Sequence, residues 1–198
     1  MTRRALLRSP SRAVRCRLCA LLCGAVIAFA PFVSLADQYN PALDPLFERL
    51  RAVEDRAEGE RVTNRIWVLW REIDDPKLAA AMEQGIVAMR TGRHAAAERR
   101  FSAVIEVEPA YAEAWNKRAT VRYMRERYTA AAADIRRALA LEPRHFGALA
   151  GLGLVYMKLE RYRAAIESFE RALEINPWLD GTRRNITIAR DRLQAGNT

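Results

Sequence analysis

Few residues in this chain have the type and spacing to do chemistry. His94 and His145 are the only histidines, and they are too far apart in sequence to form a local ligand pair. No histidine pair, acidic cluster or cysteine set has metal-ligand spacing. A phosphate-cradling glycine loop and a serine elbow are also missing. Asp74 and Asp75 precede a proline and read as a solvated helix end. His94 falls in a turn between helices, where packing is its expected role. His145 follows Pro143-Arg144 and reads as a surface turn residue. The inventory predicts no catalytic residue, no metal and no cofactor.

The elements that position these residues announce themselves by a period. Pro109, Pro143 and Pro177 are 34 residues apart and close the phrases Val-Glu-Pro, Leu-Glu-Pro and Ile-Asn-Pro. A constant interval of this length is the mark of a stacked repeat. Other positions recur in the same register. Gly85, Ala97 and Phe101 precede the first proline. Trp115, Ala119, Ala131, Ile135 and Ala138 precede the second. Leu149, Leu152, Gly153, Tyr156, Ala165, Phe169 and Ala172 precede the third.

This pattern resembles the tetratricopeptide repeat (TPR), a pair of antiparallel helices of 34 residues. The resemblance implies an all-α fold, a TPR α-solenoid of antiparallel helix pairs with N-terminal and C-terminal capping helices. Small residues let the paired helices approach, aromatics fill the space between repeats, and proline stops the second helix. The repeats are read as residues 78–111, 112–145 and 146–179, with a capping helix and tail over 180–198. Residues 37–77 read as an extended leader and a degenerate helix pair. That pair starts near Leu46, breaks at Gly59, and would form a zeroth repeat stacked ahead of the first.

Arg118 and Arg122 occupy slots that Leu152 and Tyr156 fill in the third repeat, facing the paired helix. A buried guanidinium needs a charged partner. Asp134, on the second helix of the same repeat, is the expected one for Arg118, forming a structural ion pair.

The resemblance also implies a concave groove lined by the first helix of each repeat. It assigns Ala79, Met82, Ile86 and Met89 to the groove, followed by Glu113, Asn116, Lys117, Thr120 and Tyr123. From the third repeat come Gly147, Ala150, Leu154 and Met157. Methionines among larger apolar residues make an adaptable surface. Asn116 can donate to and accept from a peptide backbone, and Lys117 can meet a carboxylate. Gly147, Gly151 and Gly153 lie within one helix at a cost in helix propensity, which close approach by a helix or ligand would explain.

The N-terminal segment has a different composition. Arg3, Arg4, Arg8, Arg12, Arg15 and Arg17 precede an apolar run from Leu18 to Val33, and Ser34-Leu35-Ala36 provides a cleavage site before Asp37. Residues 1–36 therefore read as a secretory signal peptide, by the general or the twin-arginine route, with retention as an anchor the alternative. Cys16, Cys19 and Cys23 all lie within it. Without its six arginines the formal charge falls from +9 to +3, which removes the case for nucleic-acid binding. Only three of the basic residues are lysines, Lys77, Lys117 and Lys158, an arginine preference typical of GC-rich bacterial genomes. The expectation is a periplasmic or secreted bacterial protein, non-catalytic, that binds a protein or peptide partner in its groove. No stable membrane insertion is expected after cleavage. Self-association and service as an accessory subunit of an envelope enzyme, as in cytochrome maturation or cell-wall synthesis, are the alternatives.

Overall fold

The computed structural model describes residues 40–196. The expected signal peptide and its three cysteines lie outside the described residues. The described chain forms α1 (Leu43–Ala52), α2 (Arg56–Arg71), α3 (Pro76–Arg90), α4 (His94–Val107) and α5 (Ala112–Met124). It continues through α6 (Tyr128–Leu141), α7 (Phe146–Lys158), α8 (Tyr162–Ile175) and α9 (Asp180–Ala195). No strand forms among the described residues.

The prolines act two residues past each helix end. Helices α4, α6 and α8 stop at Val107, Leu141 and Ile175, and the next residues, Glu108, Glu142 and Asn176, have φ of −126°, −131° and −130°. The proline ring clashes with an α-helical residue before it, which forces this extension. The turn inside each pair repeats as well. Gly92, Glu126 and Glu160 have φ of 73°, 59° and 56° at the same register. Glycine takes this left-handed conformation without a Cβ clash, whereas the two glutamates are held there by the tight turn.

Three consecutive pairs, α3–α4, α5–α6 and α7–α8, pack closely within themselves and against the next. A Cβ on Gly85 would overlap the Phe101 ring, and one on Gly153 would overlap Phe169. Both rings are fully buried, each contributing roughly 1.5–3 kcal/mol by leaving water. In the middle pair Ala119 and Ile135 share a core with Ala131 and Ala138. The final helix, α9, packs on α8 and closes the stack.

The N-terminal pair departs from expectation in three ways. Helix α1 starts at Leu43, three residues early, with Pro45 in the first turn, where a missing N–H leaves no helix bond unmade. The break falls at Val53–Asp55, where Asp55 caps α2 by accepting from the Glu58 N–H at 2.8 Å. Gly59 lies inside α2, buried, because the Trp178 ring occupies the place of its side chain.

The third departure is the largest. The pair does not stack ahead of α3. It folds back over the repeats, with α2 against α5 and α1 against α8. Arg56 pairs with Asp180 at 2.7 Å, the Asn176 amide donates to Thr63 at 3.0 Å, and Arg144 pairs with Asp44 at 2.6 Å. Trp70 supplies the physical reason, because it is too large for the slot that Val104, Ala138 and Ala172 fill in the repeats. Trp67 lies where a side chain on Gly147 would be, and Trp70 stacks on His145 with ring centroids 4.1 Å apart.

Two glycines one helical turn apart on α7 therefore have opposite roles. A Cβ on Gly147 would overlap Trp67, while one on Gly151 meets only the Ile135 terminal methyl at 3.7 Å. Gly147→Ala is expected to lower the melting temperature by loosening the helix pair. Gly151→Ala is expected to stabilise by about 0.5–1 kcal/mol through helix propensity. Thermal unfolding followed by circular dichroism measures both.

Candidate protein-binding groove

Beneath α2 the first turns of α5 and α7 enclose a polar cluster. Glu113 is 1% exposed and His145 is fully buried. One Glu113 oxygen faces the Lys117 ammonium at 2.9 Å. The other accepts from the Asn116 amide at 2.7 Å and lies 3.1 Å from His145 Nε2. His145 Nδ1 accepts the Ala148 N–H at 3.1 Å, capping α7. The network thus assigns the ring proton to Nε2, which donates to Glu113. Lys117 also lies over the Trp67 ring, 5.4 Å from its centroid.

These positions correct several sequence-based expectations. His145 is a buried hub and not a surface turn residue, because the Trp67 and Trp70 rings cover it. Glu113 and Asn116 are buried, so neither offers a free polar group to a ligand. Lys117 already has a carboxylate, and so cannot supply an unpaired charge for another. Met82 is buried in the core with Phe101 and Tyr111. A buried acid beside a histidine was not legible in the sequence, since the helix pair that covers them arrives from residues 43–71.

A second ionic network joins α4, α5 and α6. Arg118 donates to Asp134 through Nε at 2.9 Å and Nη2 at 2.8 Å, and to Ser102 Oγ at 3.1 Å. Arg122 bridges Asp134 at 2.8 Å and Glu98 at 2.9 Å. Arg125 and Arg127 also meet Glu98. Burial pushes the Glu98 carboxyl up, but Arg122, Arg127 and Arg125 more than reverse this, leaving it below its usual range. The pair expected within one repeat is part of a wider array that pins it to the repeat before. Such an array fixes register, since removing one partner strands a buried charge.

The rest of the expected groove lies open. Ala79, Ile86, Met89, Thr120, Tyr123, Ala150, Leu154 and Met157 are all half-buried. A cleft of about 70 Å³ lies among Asn116, Thr120, Tyr123, Ile135, Gly151 and Leu154. Two clefts of about 360 Å³ each run along α2, one bordered by Val68, Met82 and Ile86 and the other by Trp67, Val68 and Lys117. Ile188, 48% exposed on α9, stands one 34-residue step beyond Leu154. The repeat register finds it, since α9 continues the 34-residue step beyond the third repeat. The described residues hold no group of three or more metal-ligating side chains, and none of their helices is long and apolar enough to cross a membrane.

A stack of antiparallel helix pairs with a concave face defines an α-solenoid repeat protein. Tetratricopeptide-repeat family models match residues 82–141 and 147–179, and these residues form tetratricopeptide repeats. A TPR repeat-containing protein of Rhizobium etli is 30% identical over 92 residues, which covers 46% of this chain and 45% of the relative. The match thus spans less than half of that protein. Among solved structures, the Sgt2 TPR domain from Aspergillus fumigatus superposes with a TM-score of 0.60 at 22% identity, covering 62% of this chain and 83% of that domain. The first TPR of Spaghetti (RPAP3), bound to the HSP90 peptide SRMEEVD, gives 0.58 at 21% identity, covering 64% and 98%. These likenesses show the fold.

The buried acid makes stability depend on pH. Burial pushes the Glu113 carboxyl up, but the Lys117 charge and the His145 and Asn116 hydrogen bonds hold it down at about 2, against an ordinary 4.5. Its ionised form therefore stabilises the fold above pH 4.5, and that contribution falls away as pH drops from 4.5 through 2. The magnitude is on the order of 3 kcal/mol. Unfolding free energy measured across this window should fall for the wild type and fall less for Glu113→Gln, which starts less stable at pH 7.

Proposed function

We propose that this protein is a non-catalytic adaptor or assembly factor of the bacterial envelope that holds a partner's peptide or helix in the open part of its groove. The observation that carries this reading is the half-buried apolar band of Ile86, Met89, Tyr123, Leu154 and Met157. No element among the described residues lies over it as α2 lies over Gly147. A peptide bound to a fold of the same class, in the Spaghetti complex, supports the choice of ligand.

Methionine and tyrosine suit this role. The thioether stem adapts its shape to a partner, and the phenol adds a polar end to a large apolar face. The interior supports a binding module over an enzyme. Its buried acid and histidine are committed to each other and to holding α2, and Lys117 is committed to the acid.

Tyr123→Ala combined with Met157→Ala is expected to keep the fold, since both are only half-buried. Crosslinking in the native envelope, followed by identification of the captured proteins, should lose the wild-type partners with this variant. Unchanged capture by the folded double variant would count against the groove. Export rests on residues 1–36, and the intact mass of the exported protein should correspond to a chain that starts at Asp37. A mass that includes the first 36 residues would mean a retained anchor.

A further inference from the structure

The open part of the groove has a charge pattern that names its partner's chemistry. Ile86, Thr120, Leu154 and Ile188 form a row at 34-residue steps across α3, α5, α7 and α9. Four residues further on, at the next turn of the same helix faces, stand Arg90, Met124, Lys158 and Arg192. All four are exposed. None of the three cations has an ion-pair partner among the described residues, whereas the arginines of the ionic array are all engaged.

The opposite edge of the trough is α2. It presents Val68, 37% exposed, and the acids of that edge, Glu72 and Glu83, lie where α2 meets α3. The trough is thus apolar along its floor and basic along its outer edge. Asp191 adjoins Arg192 in sequence, and the exposed Glu126 and Glu160 stand two residues beyond Met124 and Lys158.

Helix α2 shows what these surfaces accept. It is a helix of 16 residues lying across the stack, reaching from Asp180 at the start of α9 to the cleft beside Met82 on α3. It seats by placing Trp67 in the space left by Gly147, and Gly151 leaves a second, unfilled space one turn along α7. Helices pack at roughly 8–10 Å, so a second helix beside α2 lies over the Gly151 cleft and the apolar row. Three interhelical steps make that row roughly 25–30 Å long, which a helix of about 17–20 residues spans.

We propose that the trough beside α2 binds an amphipathic helix of a partner protein, its apolar stripe against Ile86, Leu154 and Ile188 and its acidic flank facing Arg90, Lys158 and Arg192. This rests on the groove reading above. The interface continues the one that α2 already makes with the same helices. A terminal carboxylate is not required, because the cations run along the helix and not at its end.

The test uses three 20-residue helical peptides, amidated at the C-terminus, with a common leucine stripe and flanks of glutamate, glutamine or lysine. Binding to the purified protein is read by fluorescence anisotropy. The glutamate peptide should bind about tenfold more tightly than the glutamine peptide, in keeping with three exposed pairs of modest strength. The advantage should shrink as salt rises. A triple variant, Arg90→Glu, Lys158→Glu and Arg192→Glu, should reverse the order in favour of lysine. Each residue lies in the last turn of its helix, so the melting temperature should fall modestly while circular dichroism shows the fold retained. Equal affinities for all three peptides, or an order that survives the triple variant, would overturn the acidic partner and leave the groove reading standing. Gly151→Leu fills the unoccupied space and should abolish binding of every peptide. If it does not, or if no peptide binds the wild type, both readings fall. Binding to anionic vesicles that the triple variant abolishes, without peptide binding, would assign the cations to a membrane surface and overturn the proposal.

Discussion

A carboxylate with 1% of its surface exposed is the constraint on which this molecule turns. Glu113 stays charged in the interior because three groups converge on it: the Lys117 ammonium as an ion pair, and Asn116 and His145 through hydrogen bonds. Each group then loses its freedom for other work. Lys117 is drawn over Trp67, Asn116 is buried, and His145 becomes the flat surface on which Trp70 stacks. The ionic contact sets the floor for the aromatic one, and the aromatic contact seats α2. An unpaired carboxylate there would cost several kcal/mol, so the cluster forms with all its members or leaves a charge stranded.

Seating α2 divides the concave face in two. The first turns of α5 and α7 are consumed by the protein itself, with Lys117 and Gly147 under Trp67 and His145 under Trp70. The later turns are left uncovered by α2. A solenoid leaves the inner face of its first helices without a neighbour, and the fold meets half of that deficit from its own sequence. The Arg118–Asp134–Arg122–Glu98 array does separate work, because it lies between α4, α5 and α6 and fixes one repeat against the next. Two polar systems thus set two different registers, helix pair on stack and repeat on repeat.

Much of the architecture was legible in the sequence because it is local. The prolines at 109, 143 and 177 act on the residue before them, and Gly85 and Gly153 act on a ring in the paired helix some 16 residues on. Asp134 could be named as the partner of Arg118 for the same reason, since both belong to one repeat. The groove set was legible only in part. Ile86, Met89, Thr120, Tyr123, Leu154 and Met157 are half-buried on the open face, while Met82, Glu113 and Asn116 are buried. Nothing near residue 113 signals that a helix from residues 56–71 will cover it.

The 34-residue period by itself determined the helices, their pairing and the order of the stack, because each rests on steric contacts within one repeat or between adjacent ones. The course of the N-terminal pair was decided only in the tertiary structure. Its residues follow the repeat register closely enough to suggest one more stacked pair. Two indole rings, of which Trp70 is too large for its slot in a repeat, find room over Gly147 and His145, and a contact between residues so distant in sequence leaves no local pattern to read. The histidine that looked like a surface turn residue is buried for the same reason, and the division of the groove follows from it.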